Sequence, residues 1–211
     1  MKKIVAAIVT SLAFAAAVGA TDIPRMEAFT GYNLVKFNSN SGFTPSFNAS
    51  GGSGQFAYNF SHWFGLAVDG GAVNKGGLDG AIFDTTIAHL VAGPRVSYHN
   101  HSRFTPFGDV MFGGAYGTTS RQITVLPQIP PLGLGLDPNL PISVRLQASN
   151  TGFAMMTGGG VDIKLSKHVA FRPFAADYYL VRKPRLGTFD DVNKNNWRFS
   201  AGLNFMLGGA K

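Results

Sequence analysis

Glu27, Asp69, Asp109 and Asp162 are carboxylates and Arg95, Lys164 and Arg198 cations, set singly into segments that otherwise alternate apolar residues with small or polar ones. Gathered out of water, such groups must pair, because an unpaired buried charge costs several kcal/mol. A set of this kind forms either a static ion-paired plug or, where the pairs open and re-form, a narrow path for ions. Histidines offer a second chemistry. His62, His99, His101 and His168 stand in short polar stretches, and "HNH" at 99–101 has the look of a metal pair. A metal site wants three or four ligands with supporting partners. These histidines sit on three separate stretches with no cysteine and few carboxylates nearby, so we read them as polar turn residues. No G-x-S-x-G elbow is present. "GGSG" and "GGGVDIK" lack the strand-then-helix setting and the Lys-Ser/Thr of a phosphate loop. No catalytic, metal-binding or cofactor-binding residue is assigned.

The elements that must position these groups are strands. Period-two alternation marks eight segments, at about 26–35, 54–60, 65–73, 86–98, 104–116, 152–165, 169–181 and 196–207. In the sixth, Phe153, Met155, Thr157, Gly159, Val161 and Ile163 oppose Ala154, Met156, Gly158, Gly160, Asp162 and Lys164. The second segment is short and is expected to extend back into "SGGS". Connections after the even segments are tight ("SHWF", "HNHSR", "SKH"). Those after the odd segments are long, at 36–53, 74–85, 117–151 and 182–195. All tight turns therefore fall at one end and all long loops at the other, the layout of an all-β, eight-stranded antiparallel up-and-down barrel spanning an outer membrane. In hydrocarbon every backbone donor and acceptor must be paired, and closure leaves no unpaired edge.

Composition agrees. The chain has 27 Gly and 18 Phe, favouring strands over helices, and its lack of cysteine means that it folds without disulfides. Residues 1–20 read as a signal peptide: Lys2 and Lys3, an apolar stretch from Ile4 to Val18, then Gly19-Ala20 for cleavage. The barrel domain is residues 21–211. Removal of the two lysines lowers the net charge from +7 to +5. The remaining basic residues are scattered and the chain is exported, so nucleic acid is not an expected partner.

With the apolar parity turned to lipid, the lumen holds Glu27, Asn33, Gln55, Asn59, Asp69, His89, Arg95, Asp109, Asp162, Lys164, Arg198 and Asn204. In the seventh segment Arg172 and Asp177 have opposite parity. We place Asp177 inside and let Arg172 snorkel to the turn-side interface. Aromatic girdles are expected from Phe60, Trp63, Tyr98, Phe104, Phe171 and Phe205 at the turn side, and from Tyr32, Phe153, Tyr178 and Trp197 at the loop side. The opposite assignment, a soluble lipocalin-like barrel with its apolar face inward, satisfies the same alternation. The loop after the fifth segment carries "VLPQIPPLGLGLDPNLPI", an apolar, proline-rich stretch that reads as a contact surface for a protein partner, a lid or a disordered tip. The last loop, "RKPRLGTFDDVNKN", offers cations for lipid phosphates or is simply solvated.

The runs "GGGVDIKLSKHVAFRPFAADYYLVR" and "NNWRFSAGLNFMLG", with "GPRVSY" and "AYNFSHWFGLAVDGG", resemble the bacterial outer-membrane β-barrel domain family of OmpA/OmpX type. The resemblance implies residence in a bacterial outer membrane among its lipids. It implies no single activity, since such families include anchors, adhesion or defence proteins and lipid-modifying enzymes. Ser200, Gly202, Phe205 and Leu207 match the spacing of the signal read by the outer-membrane assembly machinery. The expected role is structural or surface-interacting without catalysis; a narrow ion or small-solute channel and an outer-leaflet lipid-modifying enzyme are the alternatives.

Overall fold

Alternation can satisfy two solvents at once only if every strand finds a neighbour on both sides. The computed structural model describes residues 23–38, 46–76, 83–99, 102–125, 142–182 and 194–208. It holds eight strands: β1 (Met26–Phe37), β2 (Phe47–Asn59), β3 (Phe64–Lys75), β4 (Phe83–Ser97), β5 (Phe104–Val125), β6 (Ile142–Lys164), β7 (Val169–Arg182) and β8 (Lys194–Leu207). Each pairs antiparallel with its sequence neighbours, and β1 pairs with β8, closing the barrel. The seam runs from Met26 against Leu207 to Lys36 against Trp197. The assigned signal peptide, His101, residues 126–141, residues 183–193 and the tail 209–211 lie outside the described residues.

The faces follow the pleat. On β1, Glu27, Phe29, Asn33, Val35 and Phe37 are buried, whereas Met26, Thr30, Tyr32, Leu34 and Lys36 are exposed. The outer surface is apolar: Leu90 is 64% exposed, Phe104 56%, Val96 53% and Phe56 47%, while Glu27, Asp69, Arg95, Asp109, Asp162 and Arg198 are buried inside. So large an apolar surface cannot face water, which rules out the soluble barrel with its apolar face inward. Trp63 and Tyr98 (rings 4.5 Å apart), Phe104, Phe171 and Phe205 ring the turn end, while Tyr32, Phe153, Trp197 and Tyr178 ring the loop end. Phe60, also assigned to the turn-side girdle, is only half-exposed. Phe104 and Tyr116 are twelve residues apart on β5. At about 3.4 Å per residue and a tilt near ~40°, that separation is roughly 30 Å, matching a bilayer core.

Two elements differ from the sequence expectation. First, the stretch 117–151 is not all loop, because Gly117–Val125 and Ile142–Thr151 continue β5 and β6 in unbroken register. Alternation fades there: residues 145–149 of β6 are exposed on both parities, so polar residues serve on either. The hairpin carries the sheet about 30 Å along the strands beyond Tyr116. Second, β7 contains a bulge: Arg172 pairs with Gly202 but Ala175 pairs with Ser200, so one extra residue is accommodated. Pro173 and Phe174 are both exposed in succession. Pro173 has no N–H to give the ladder, and a bulge is where a strand tolerates proline.

Candidate functional site

The bulge decides what fills the lumen. By shifting the parity of β7 midway, it turns both Arg172 and Asp177 inward, each 2% exposed. Arg172 therefore does not snorkel outward. Its Nε and Nη2 donate to the two carboxylate oxygens of Asp162 at 2.7 and 3.0 Å, a bidentate pair. Its Nη1 donates to Gln55 Oε1 at 3.1 Å, an oxygen that also receives Arg95 Nη1 at 2.6 Å. Gln55 Nε2 in turn donates to Asp109 Oδ2. Arg95 lies 3.6 Å from both Glu27 and Asp162 and 3.9 Å from Asp109. The Phe107 ring meets both guanidiniums, 4.1 Å from Arg95 and 4.0 Å from Arg172, and Phe29 covers Arg172 at 4.1 Å. Such stacking strengthens when water is excluded.

Toward the turn end, Glu27 closes the cluster. Asn59 Nδ2 and Asn204 Nδ2 donate to its oxygens at 2.7 and 2.8 Å, and His99 Nε2 stands 3.0 Å from Oε1. His99 is thus not a solvated turn residue. It is 8% exposed and folds back into the barrel mouth, whereas His62 and His168 stay exposed at their turns. Among the described residues no three His, Cys, Asp or Glu side chains come together to hold a metal.

Of the five lumen residues singled out from sequence, Glu27, Arg95, Asp109 and Asp162 share this cluster. Arg198 belongs to a second one higher in the barrel. Its Nε donates to Asp177 Oδ2 at 2.8 Å and its Nη1 to Asp69 Oδ1 at 2.7 Å, and His89 Nε2 lies 2.8 Å from the same Asp69 oxygen. The two clusters bury five carboxylates (Glu27, Asp69, Asp109, Asp162, Asp177) against three arginines. The two buried histidines each contact a carboxylate, His89 that of Asp69 and His99 that of Glu27. Lys164, at the turn-side rim, is only half-buried.

Above Arg198 most inward positions are apolar, with Asn196 also buried among them and accepting from Asn38 N–H. Val35, Phe37, Ala49, Val73, Ala115, Ala154 and Val181 form one buried cluster with Met111, Met156 and Tyr179, packed by Phe47 and Ile87. The Phe37 and Phe47 rings stack 5.0 Å apart. The lumen therefore has two tiers, a charged one toward the turns and a dry one toward the loops. Among the described residues these inward side chains pack against one another, as the narrow bore of an eight-stranded barrel favours. An ion crossing it would have to enter the dry tier unpaired, at a cost of several kcal/mol.

The model of the outer membrane protein beta-barrel domain family matches residues 4–205. The chain belongs to that family. It is a bacterial outer-membrane β-barrel. Solved structures support the fold. The attachment invasion locus protein Ail of Yersinia pestis superposes with a TM-score of 0.54 at 13% identity, covering 87% of this chain and 98% of that one. OprG of Pseudomonas aeruginosa gives 0.51 at 16% identity, covering 88% and 97%. Neisserial surface protein A gives 0.51 at 14% identity, covering 90% and 100%. Among curated proteins, none matches this chain. On the closing strand of this barrel, Ser200 and Gly202 face inward and Phe205 and Leu207 face lipid.

Proposed function

We propose that this outer-membrane barrel is a sealed, non-catalytic anchor that acts through the surface it presents outside the cell. The observation that carries this reading is the two-tier lumen. Its ionisable groups are spent on one another, and the dry tier stands between them and the loop-side mouth. Neither a substrate nor a hydrated ion reaches them from outside. What remains for interaction is the extracellular rim, dominated by the β5–β6 hairpin projecting beyond the loop-side girdle. One similar structure is named an attachment invasion locus protein and another a surface protein, which accords with this reading. The partner is then a surface molecule met by the hairpin, and assembly machinery reads the Ser200, Gly202, Phe205 and Leu207 pattern.

The test separates surface from lumen. Residues 124–143 are replaced by a two-residue Asn-Gly turn, which suits a tight hairpin. The shortened protein is expected to keep the slow, heat-modifiable migration of a folded barrel. Cells carrying it are also expected to attach to surfaces as weakly as a deletion strain does. Attachment equal to that of cells with the wild-type protein would refute the reading.

A further inference from the structure

Just above the loop-side girdle, the outward face of four neighbouring strands changes from apolar to polar in a single step. On β4, Leu90 and Ala88 give way to Thr86 and Asp84; on β5, Tyr116 gives way to Thr118 and Ser120. On β6 the same parity runs from Phe153 up to Gln147 and Arg145. The register sets these residues side by side: Asn74 against Thr86, Thr86 against Thr118, Asp84 against Ser120, and Ser120 against Gln147. Together they line a cavity of about 320 Å³ on the outer wall of the barrel. Inside it Arg145 Nη2 donates to Ser120 Oγ at 3.0 Å and Asn74 Nδ2 to Thr86 Oγ1 at 2.8 Å. Directly below, the Tyr116 ring faces lipid while its hydroxyl meets Thr118 and Ser149. A tyrosine with its ring in hydrocarbon and its hydroxyl in a polar layer marks headgroup depth.

Location and lining point to one kind of ligand. A cavity on the lipid-side parity, at headgroup depth, opens toward molecules whose tails lie along the exposed Leu90, Phe112 and Phe153 beneath it. Its lining joins one guanidinium and one carboxylate to two amides and three hydroxyls. Carboxylates and amides match the paired hydroxyls of a sugar, and a guanidinium fork matches a phosphate. A phospholipid headgroup would leave most of these donors and acceptors unmatched. We propose that this cavity binds the phosphorylated saccharide headgroup of an outer-leaflet glycolipid, with Arg145 on a phosphate and Asp84, Asn74 and Gln147 on sugar hydroxyls.

The experiment uses the full-length protein in phospholipid nanodiscs with purified lipopolysaccharide as the probe, read by native mass spectrometry and by titration. The double variant Asp84→Asn/Arg145→Gln is expected to bind at least tenfold more weakly than wild type. Lys36→Gln, which removes one cation, as the Arg145 change does, from an exposed outward position on β1 far round the barrel, is expected to bind as wild type does. Both keep heat-modifiable migration and the hairpin tip, so failure here is distinguishable from failure of the surface reading. Equal binding by the double variant and wild type would overturn the proposal. Saturable binding of free glucosamine 6-phosphate or inorganic phosphate that lipopolysaccharide does not displace would overturn it too, by assigning the cavity to a soluble ligand.

Discussion

Replacing Arg198 with methionine is expected to cost the barrel about 3–5 kcal/mol, because it removes the one guanidinium that, among the described residues, both Asp69 and Asp177 contact. Three ionisable partners surround this one fork, and His89 alone is left to meet Asp69. A second carboxylate, Asp177, is then buried with no cation against it among the described residues. The loss is read as a lower urea midpoint for unfolding from detergent micelles, followed by the gel shift between folded and unfolded forms. The triple variant Arg198→Met/Asp69→Asn/Asp177→Asn is expected to regain most of the loss, since neutral groups of the same shape need no cation. Failure of the triple variant to recover would mean that packing at Arg198, rather than charge pairing, sets the penalty.

The seam carries the second large effect. Gly202 of β8 faces Gly31 of β1, and a side chain on Gly202 would meet the Thr30 carbonyl oxygen. A side chain on Gly31 would meet the Phe29 ring, which itself covers Arg172. Both obstacles are part of the closed structure: one is backbone, the other a buried ring held by its cation. Gly202→Val is expected to destabilise the closed barrel by about 3 kcal/mol or more, at the upper end of overpacking costs or beyond. The yield of folded protein in the membrane should fall accordingly. Ala201→Val, one residue away on the lipid face, is expected to leave yield and stability within about 0.5 kcal/mol of wild type. Equal behaviour of the two variants would argue that the seam is not closed at this register.

Much of this architecture is legible from residues alone, and the reasons are physical. Strands bounded by lipid on one side and a packed lumen on the other must alternate, so Phe56 against Gln55 or Phe153 against Ala154 announces itself. Short turns and long loops likewise separate into two ends. Other features escape the same logic. The inward turn of Arg172 depends on a bulge at Pro173, and a one-residue insertion reverses parity without altering composition. His99 looks like a turn histidine because its place is two residues past the end of β4. Its burial follows from Glu27, 72 positions away in sequence. The dry upper tier is hidden because its residues (Val35, Val73, Val181) lie on the lumen parity yet are as apolar as any lipid-facing residue. Above the membrane residues 145–149 of β6 are exposed on both parities, so alternation vanishes although the ladder continues. The outer-wall cavity joins residues from four strands, a juxtaposition visible only once the register is known.

The proposed function turns on a sealed lumen, and electrical recording of the purified protein in a planar lipid bilayer tests that most directly. It predicts that wild-type protein, inserted and shown to be folded by its gel migration, gives no conductance steps above the bare membrane. Reproducible steps from the wild type, altered in size or selectivity by Arg198→Met/Asp69→Asn/Asp177→Asn, would contradict it and make the barrel a channel.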